Sequence, residues 1–170
     1  VSVLRLPQIF GTMPGKVPLW SMFVDMLRNQ EFMPVTSGGF ATITASAVGQ
    51  AAISALENGN HRKTYAVATG YISYEDFYKK ILEVLGQTET TKLKVMNFED
   101  LEQAYKEDEK LTDREGIEHG IRQVNMLRAN SMEFKLPTNI AYDELRVREE
   151  NVDAIIDETL RASDFRREEK

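Results

Sequence analysis

Three observations predict an α/β fold built on a parallel sheet. Through the first 86 residues, short runs of branched and aromatic residues take turns with amphipathic segments, the pattern of βα units. The apolar residues of segment 1–6 (Val1, Val3, Leu4, Leu6) do not alternate cleanly, which marks a strand covered on both faces. The segment 46–57 is rich in alanine on one face, and small side chains let a helix lie close on a sheet.

Taken in order, residues 1–6 form the first strand, stopped by Pro7. A strand buried on both faces needs neighbours, and none precedes Val1, so the chain is expected to be the downstream part of a larger α/β protein. Pro14, Gly15 and Pro18 punctuate a loop. Residues 19–28 follow as a helix with Leu19, Met22, Phe23, Met26 and Leu27 on its inner face, which puts Met22 and Met26 in the core and leaves Trp20 beside the stripe as a packing residue. Pro34 and Gly38-Gly39 frame a second loop, and residues 40–44 read as a short strand. The alanine-rich helix presents Val48, Ala51, Ala52, Ala55 and Leu56. Thr44 or Ser46 caps its start and Asn58-Gly59 ends it. Residues 64–69 are a second core strand.

After Gly70, Ser73 caps a helix with Asp76 three residues on, a stripe of Phe77, Tyr78, Ile81, Leu82 and Leu85, and a stop at Gly86. Residues 92–98 alternate as a strand, and Asn97 or Glu99 opens a short helix through Tyr105. The charged segment 107–115 reads as a loop. Ile117, Gly120, Ile121, Val124 and Arg128 mark a helix ending near Asn130. Beyond Pro137, residues 142–149 form a short helix. Asn151 caps a last one carrying Val152, Ile155, Ile156, Thr159 and Leu160, and residues 163–170 read as a frayed tail.

Composition narrows the function. The 170 residues suffice for a domain with a real core, at 42% hydrophobic and 28% charged. The net charge of −6 falls wholly beyond residue 60, because residues 1–60 carry three charges of each sign. That balance argues against a nucleic-acid or anionic-membrane surface. No apolar run approaches the roughly 20 residues of a membrane-spanning helix. Without cysteine there are no disulfides or thiolate metal sites, and the cytosol is the expected compartment. His61 and His119 have no partners at ligand spacing, so no metal site is expected.

Several segments together resemble the C-terminal portion of the NAD-dependent epimerase/dehydratase family, the extended short-chain dehydrogenases. Arg5-Leu6-Pro7-Gln8-Ile9-Phe10-Gly11 is similar to that family's R-P-x-x-V-Y-G segment, with Leu6-Pro7 in place of the commoner Pro-x. Val48-Gly49-Gln50-Ala51 and Ala55-Leu56-Glu57 resemble its D-V-A-x-A…A-L-E helix, with Ala47 where the aspartate usually stands. Tyr65-Ala66-Val67, Ser73-Tyr74-Glu75-Asp76 and Ile81…Leu85-Gly86 resemble its Y-x-V…S-x-x-E…I…L-G block. The likeness is good over residues 1–86 and looser beyond, where segments 142–145 and 152–156 resemble the family's ending.

The resemblance implies the last strands and helices of a Rossmann-type parallel sheet, ending the dinucleotide-binding domain at residue 86. A small, mostly helical C-terminal substrate-binding subdomain would follow over 87–170. It implies NAD or NADP as cofactor, with Pro7, Gln8 and Ile9 beside the nicotinamide, and Gln8 and Phe10 toward the substrate. Read on their own, Pro7 and Phe10 are packing residues, and Gln8 is either a substrate contact or a satisfied loop amide.

The family's chemistry rests on a Tyr-x-x-x-Lys pair, whose lysine lowers the phenol's pKa for acid–base work at a carbonyl or alcohol. Four residues after Tyr65, Tyr71, Tyr74, Tyr78, Tyr105 and Tyr142 stand Thr69, Glu75, Tyr78, Leu82, Glu109 and Arg146. None is lysine, and the G-x-x-G-x-x-G phosphate loop is also missing. This chain carries no catalytic residue by that pattern and is expected to be inactive alone. Sugar-nucleotide members of the family carry an arginine before the small strand, where this chain has Gly38-Gly39-Phe40. Two readings follow. One is the substrate-side part of an NAD(P)-dependent enzyme for a sugar or other carbonyl or alcohol, which pairs with its missing half or with itself. The alternative is a non-catalytic relative or helical protein-interaction module.

Overall fold

A computed structural model describes residues 1–100, 102 and 128–165. The helix expected up to Tyr105, the charged loop 107–115, most of the helix ending near Asn130 and the tail beyond residue 165 lie outside the described residues.

The described chain is mixed α/β, with eight strands. β1 (Val3–Arg5) and β5 (Thr64–Ala66) pair in parallel, Leu4 opposite Tyr65. β2 (Gln8–Phe10) runs parallel to β4 (Gly39–Thr44), Ile9 opposite Ile43. β6 (Gly70–Ser73) lies antiparallel to β4, and the short β8 (Glu133–Phe134) joins β4 in parallel at Gly39 and Phe40. A strand has two edges. β6 occupies one, so β2 and β8 share the other, β2 on the end of β4 and β8 on its start. β3 (Phe32–Thr36) and β7 (Lys92–Met96) form a separate parallel pair.

All six residues of β4 are buried. Successive side chains of a strand point to opposite faces, and each face is covered. On one side Phe40 packs with Phe10, Phe77, Ile81 and Leu160. On the other, Ile43 packs with Ala47, Ala51, Tyr65 and Val67. The two-sided coverage expected of the first strand therefore belongs to β4. Val1, Val3 and Leu6 stay 90%, 48% and 37% exposed, because β1 has a neighbour on one edge only among the described strands. Pro7 stops β1 as expected, and a second strand not read from the sequence, β2, follows it on a different partner.

The helices follow the sequence signals, with shifted faces. α1 (Ser21–Leu27) buries Val24 and Leu27, with Trp20 and Phe23 packed on the core, while Met22 and Met26 stand 62% and 42% exposed. The two methionines are thus not core residues. The stripe 20, 23, 24, 27 satisfies the helical period as well as the methionine stripe does. The aromatic partners beneath decide between the two. α2 (Ala45–Asn58) buries Ala47, Ala51 and Ala55 and leaves Leu56 outside at 87% exposure. Thr44 caps it, accepting from the Ala47 N–H at 2.9 Å. α3 (Tyr74–Leu85) matches expectation closely. Ser73 accepts from the Asp76 N–H at 3.0 Å, and Gly86 closes the helix at φ 67, a left-handed value that suits glycine. α4 (Val152–Ser163) is capped by Asn151, which accepts from the Ala154 N–H at 3.1 Å, and buries Ile156, Thr159, Leu160 and Ser163.

Other expectations are corrected. The segment between Pro34 and Gly38 is not all loop, since β3 runs through Pro34. A proline, which lacks an N–H, is tolerated there because β7 is the only described neighbour of β3. The strand expected over 64–69 stops at Ala66. β6 follows it, and Gly70, a turn signal in sequence, opens that strand. The helix expected over 142–149 is a π-helical turn, Ile140–Glu144.

Packing runs across residue 86. Ile156 and Leu160 share a core cluster with Phe10, and α4 is tied to α3 by Lys80, which bonds Asp157 at 2.8 Å and Asp153 at 3.0 Å. Asp164, expected in the frayed tail, is buried and accepts from Arg28 Nη2 at 2.7 Å, and Arg28 also reaches Asp25 at 3.3 Å. The Asp164 bond, opposed by partial burial, holds the Arg28 guanidinium above its ordinary pKa. Asp164→Ala is expected to cost about 2 kcal/mol, the scale of a hydrogen bond to a charged partner. A urea double-mutant cycle with Arg28→Ala should return a coupling energy clearly above zero.

Burial also pushes the Tyr78 phenol up to about 12, with Tyr74 adding to the shift. The folded state keeps this proton where the unfolded chain, titrating near 10, has lost it. The stabilisation is therefore full below pH 10 and disappears as pH rises through 12. Tyr78 should be the last of the described tyrosines to ionise in an ultraviolet alkaline titration, and Tyr78→Phe should flatten the fall in stability between those pH values.

Candidate functional site

A cleft of about 670 Å³ opens at the carboxyl ends of β1 and β5. One wall is Arg5, Leu6, Pro7, Gln8 and Ala66. The opposite wall is Phe40, Tyr74, Asn130, Phe134 and Leu136. An adjoining lobe of about 310 Å³ shares Pro7, Gln8, Phe40 and Tyr74 and continues over Ile9, Trp20 and Phe77. Pro7 and Gln8, singled out in sequence, thus stand where both spaces meet. The chain turns there because Pro7 closes β1 and lets the backbone switch from β5 to β4 as its pairing partner.

Gln8 is exposed, and its amide has no hydrogen-bond partner among the described residues. Ile9 borders the smaller lobe, and its carbonyl accepts from Trp20 Nε1 at 3.0 Å. Phe10 is fully buried. It stacks on Trp20 with centroids 4.4 Å apart and 3° between planes, and meets Phe77 edge-on at 6.3 Å. Phe10 backs the wall and lines neither space.

Tyr74, Asn130 and Trp20 escaped assignment to a site from sequence. Tyr74 donates to Asn130 Oδ1 at 2.8 Å, which joins α3 to the segment before β8 across a long stretch of chain. Burial holds the Tyr74 phenol above its ordinary pKa, with Tyr71 adding to it. Burial also raises Tyr71, assisted by Glu133 and opposed by Lys135. Both hydroxyls are protonated donors at neutral pH. Local sequence gives Tyr74 only as the first residue of a helix, so nothing short of the fold could reveal its partner.

Gly38 and Gly39 sit under the far wall. A Cβ on Gly38 would lie 2.2 Å from the Asn130 carbonyl oxygen, and one on Gly39 would lie 2.5 Å from the Ile72 carbonyl oxygen. Neither position has room for a side chain, an arginine's included. Arg5 is the only charged residue lining the cleft among the described ones. Among the described residues no three His, Asp or Glu side chains gather as a metal site, and no helix is long and apolar enough to cross a membrane. A further groove, between β1 and α2, is lined by Val1, Leu4 and Leu56, and its His61 faces the terminal amine at 3.3 Å. It has no converging polar groups to recommend it as a site.

No family model and no curated protein matches this chain. Solved structures do. The protein called gox2253 superposes at TM-score 0.69 with 18% identity, over 98% of this chain and 49% of its own. The dTDP-glucose 4,6-dehydratase DesIV of Streptomyces venezuelae, solved with NAD and TYD bound, gives 0.56 with 12% identity, over 98% and 44%. UDP-N-acetylglucosamine 4-epimerase of Bacillus cereus gives 0.52 with 10% identity, over 94% and 45%. The fold is of the Rossmann type. At these identities the likeness establishes fold alone, and this chain spans about half the length of each neighbour.

Proposed function

We propose that this chain is the substrate-side portion of an NAD(P)-dependent enzyme that epimerises, dehydrates or reduces a sugar or other carbonyl or alcohol. The observation that carries the reading is a cleft at the carboxyl ends of parallel strands, where open α/β sheets take ligands. It occurs in a chain whose fold neighbours include an epimerase and an NAD-bound dehydratase. Pro7, Gln8 and Ile9 face the cofactor side. Gln8 bonds substrate through its free amide, and Phe10 supports that contact from beneath by fixing Trp20. The dinucleotide and the acid–base pair belong to residues outside this chain, which alone turns over nothing. The protein acts in the cytoplasm, without nucleic acid or membrane.

The exposed apolar edge of β1 supports pairing with that other portion, or self-association in its absence. Light scattering of the isolated chain should show concentration-dependent association, and a strict monomer at high concentration would count against this. The decisive test is the encoded sequence upstream of Val1. A glycine-rich loop and a Tyr-x-x-x-Lys pair are expected there, and an upstream region lacking both would overturn the enzyme reading.

A further inference from the structure

The smaller lobe of the cleft has an unusual chemistry for a site in this setting. Its walls are Ile9, Leu19, Trp20, Met22, Phe23 and Phe77, closed at the junction by the residues shared with the larger lobe. Among the described residues no charged one lines it. Its residues with polar side chains among those described, Gln8 and Tyr74, are both shared with the larger space, and the Tyr74 hydroxyl donates to Asn130 there. Arg5 lines the larger space and not this one.

From this lining, and resting on the proposed function, we infer that the lobe binds an uncharged apolar ring or chain of the substrate, whose carbonyl or alcohol lies at the Gln8–Tyr74 junction. A phosphate or diphosphate in the lobe would lose its water and find no cation among the described residues. Gly38 and Gly39 have no room to supply one. An apolar group meets no such penalty, and a few polar groups at the edge of an apolar pocket are what orient a small ligand. The indole is held for this contact. Phe10 stacks beneath it, and its N–H is already satisfied by the Ile9 carbonyl, so it has no donor left to offer a polar ligand. Leu19 and Met22 stand exposed at the mouth, at 85% and 62%, where they can close over an apolar group.

Trp20 is the single tryptophan of the chain, so its emission reports the lobe directly. The isolated chain is titrated with benzyl alcohol, with cyclohexanone and with UDP-glucose. Benzyl alcohol and cyclohexanone are expected to shift the Trp20 emission saturably. Leu19→Asp and Met22→Asp, both exposed in the folded chain, should weaken that binding about tenfold or more, with unchanged urea midpoints. Leu19→Met should retain it. Equal binding by the aspartate variants, or a shift that never saturates, would overturn the inference. A shift with UDP-glucose and none with the apolar compounds would overturn it while leaving the enzyme reading intact, because that reading stands on the upstream sequence. A chain that responds to none of the three also overturns it.

Discussion

Phe77→Ala is expected to destabilise the protein by about 4 kcal/mol, the scale for emptying an aromatic site in a packed core. Phe77 is 1% exposed at the centre of an aromatic cluster. Its ring lies 5.4 Å from Trp20, 5.5 Å from Phe40, 5.8 Å from Phe23 and 6.3 Å from Phe10, mostly edge-to-face. Such pairs add to area burial about 0.5–1.5 kcal/mol each. The partners come from β2, the approach to α1, α1 itself and β4, so no single side chain can relax into the void. Urea denaturation followed by Trp20 emission would measure the loss, and native emission should move to longer wavelength as the indole gains water. Leu56→Ala, at a side chain 87% exposed, is the matched control and should change stability by less than about 0.5 kcal/mol. A loss at Phe77 no larger than the control's would mean that the cluster is not the packed centre described.

Gly38→Ala should cost about 3 kcal/mol, because the added methyl would strike backbone rather than a flexible side chain. The clash is with the Asn130 oxygen at 2.2 Å, the Met132 oxygen at 2.4 Å and the Ser131 carbonyl carbon at 2.8 Å. This segment cannot yield without losing the Gly39 N–H bond to the Met132 carbonyl at 3.2 Å and the pairing of β8 with β4. It also carries Asn130, the partner of Tyr74, so the same substitution should loosen the far wall of the cleft. Gly49→Ala provides the contrast. That glycine lies in α2 with nothing within 4 Å of its would-be Cβ, and the change should stabilise by about 1 kcal/mol through helix propensity. Thermal denaturation of both variants tests the pair, and opposite signs are expected.

Much of the fold was legible locally. The caps at Thr44, Ser73 and Asn151 and the left-handed stop at Gly86 are short-range chemistry, complete within four residues, and the structure follows them. The last helix's stripe held for the same reason. Faces were less legible wherever two stripes fit one helix. In α1 the period permits Met22 and Met26 or Trp20 and Val24, and it carries no information about what lies underneath. Of the site, Pro7 and Gln8 were readable as the exit of a strand. Tyr74 and Asn130 were not, because their meeting depends on how distant segments fold together.

The sequence by itself therefore determined the α/β class, the capped helices and the turn at Pro7. Each is encoded by side chains acting on neighbouring backbone. Tertiary structure decided the rest. It made β4 the buried strand in place of β1, turned Trp20 inward and the methionines outward, and recruited Asp164 from an expected tail to Arg28. It also required glycine at 38 and 39. These outcomes turn on which surfaces meet across the chain, and burial and close approach are properties of the assembled pair that neither segment carries alone.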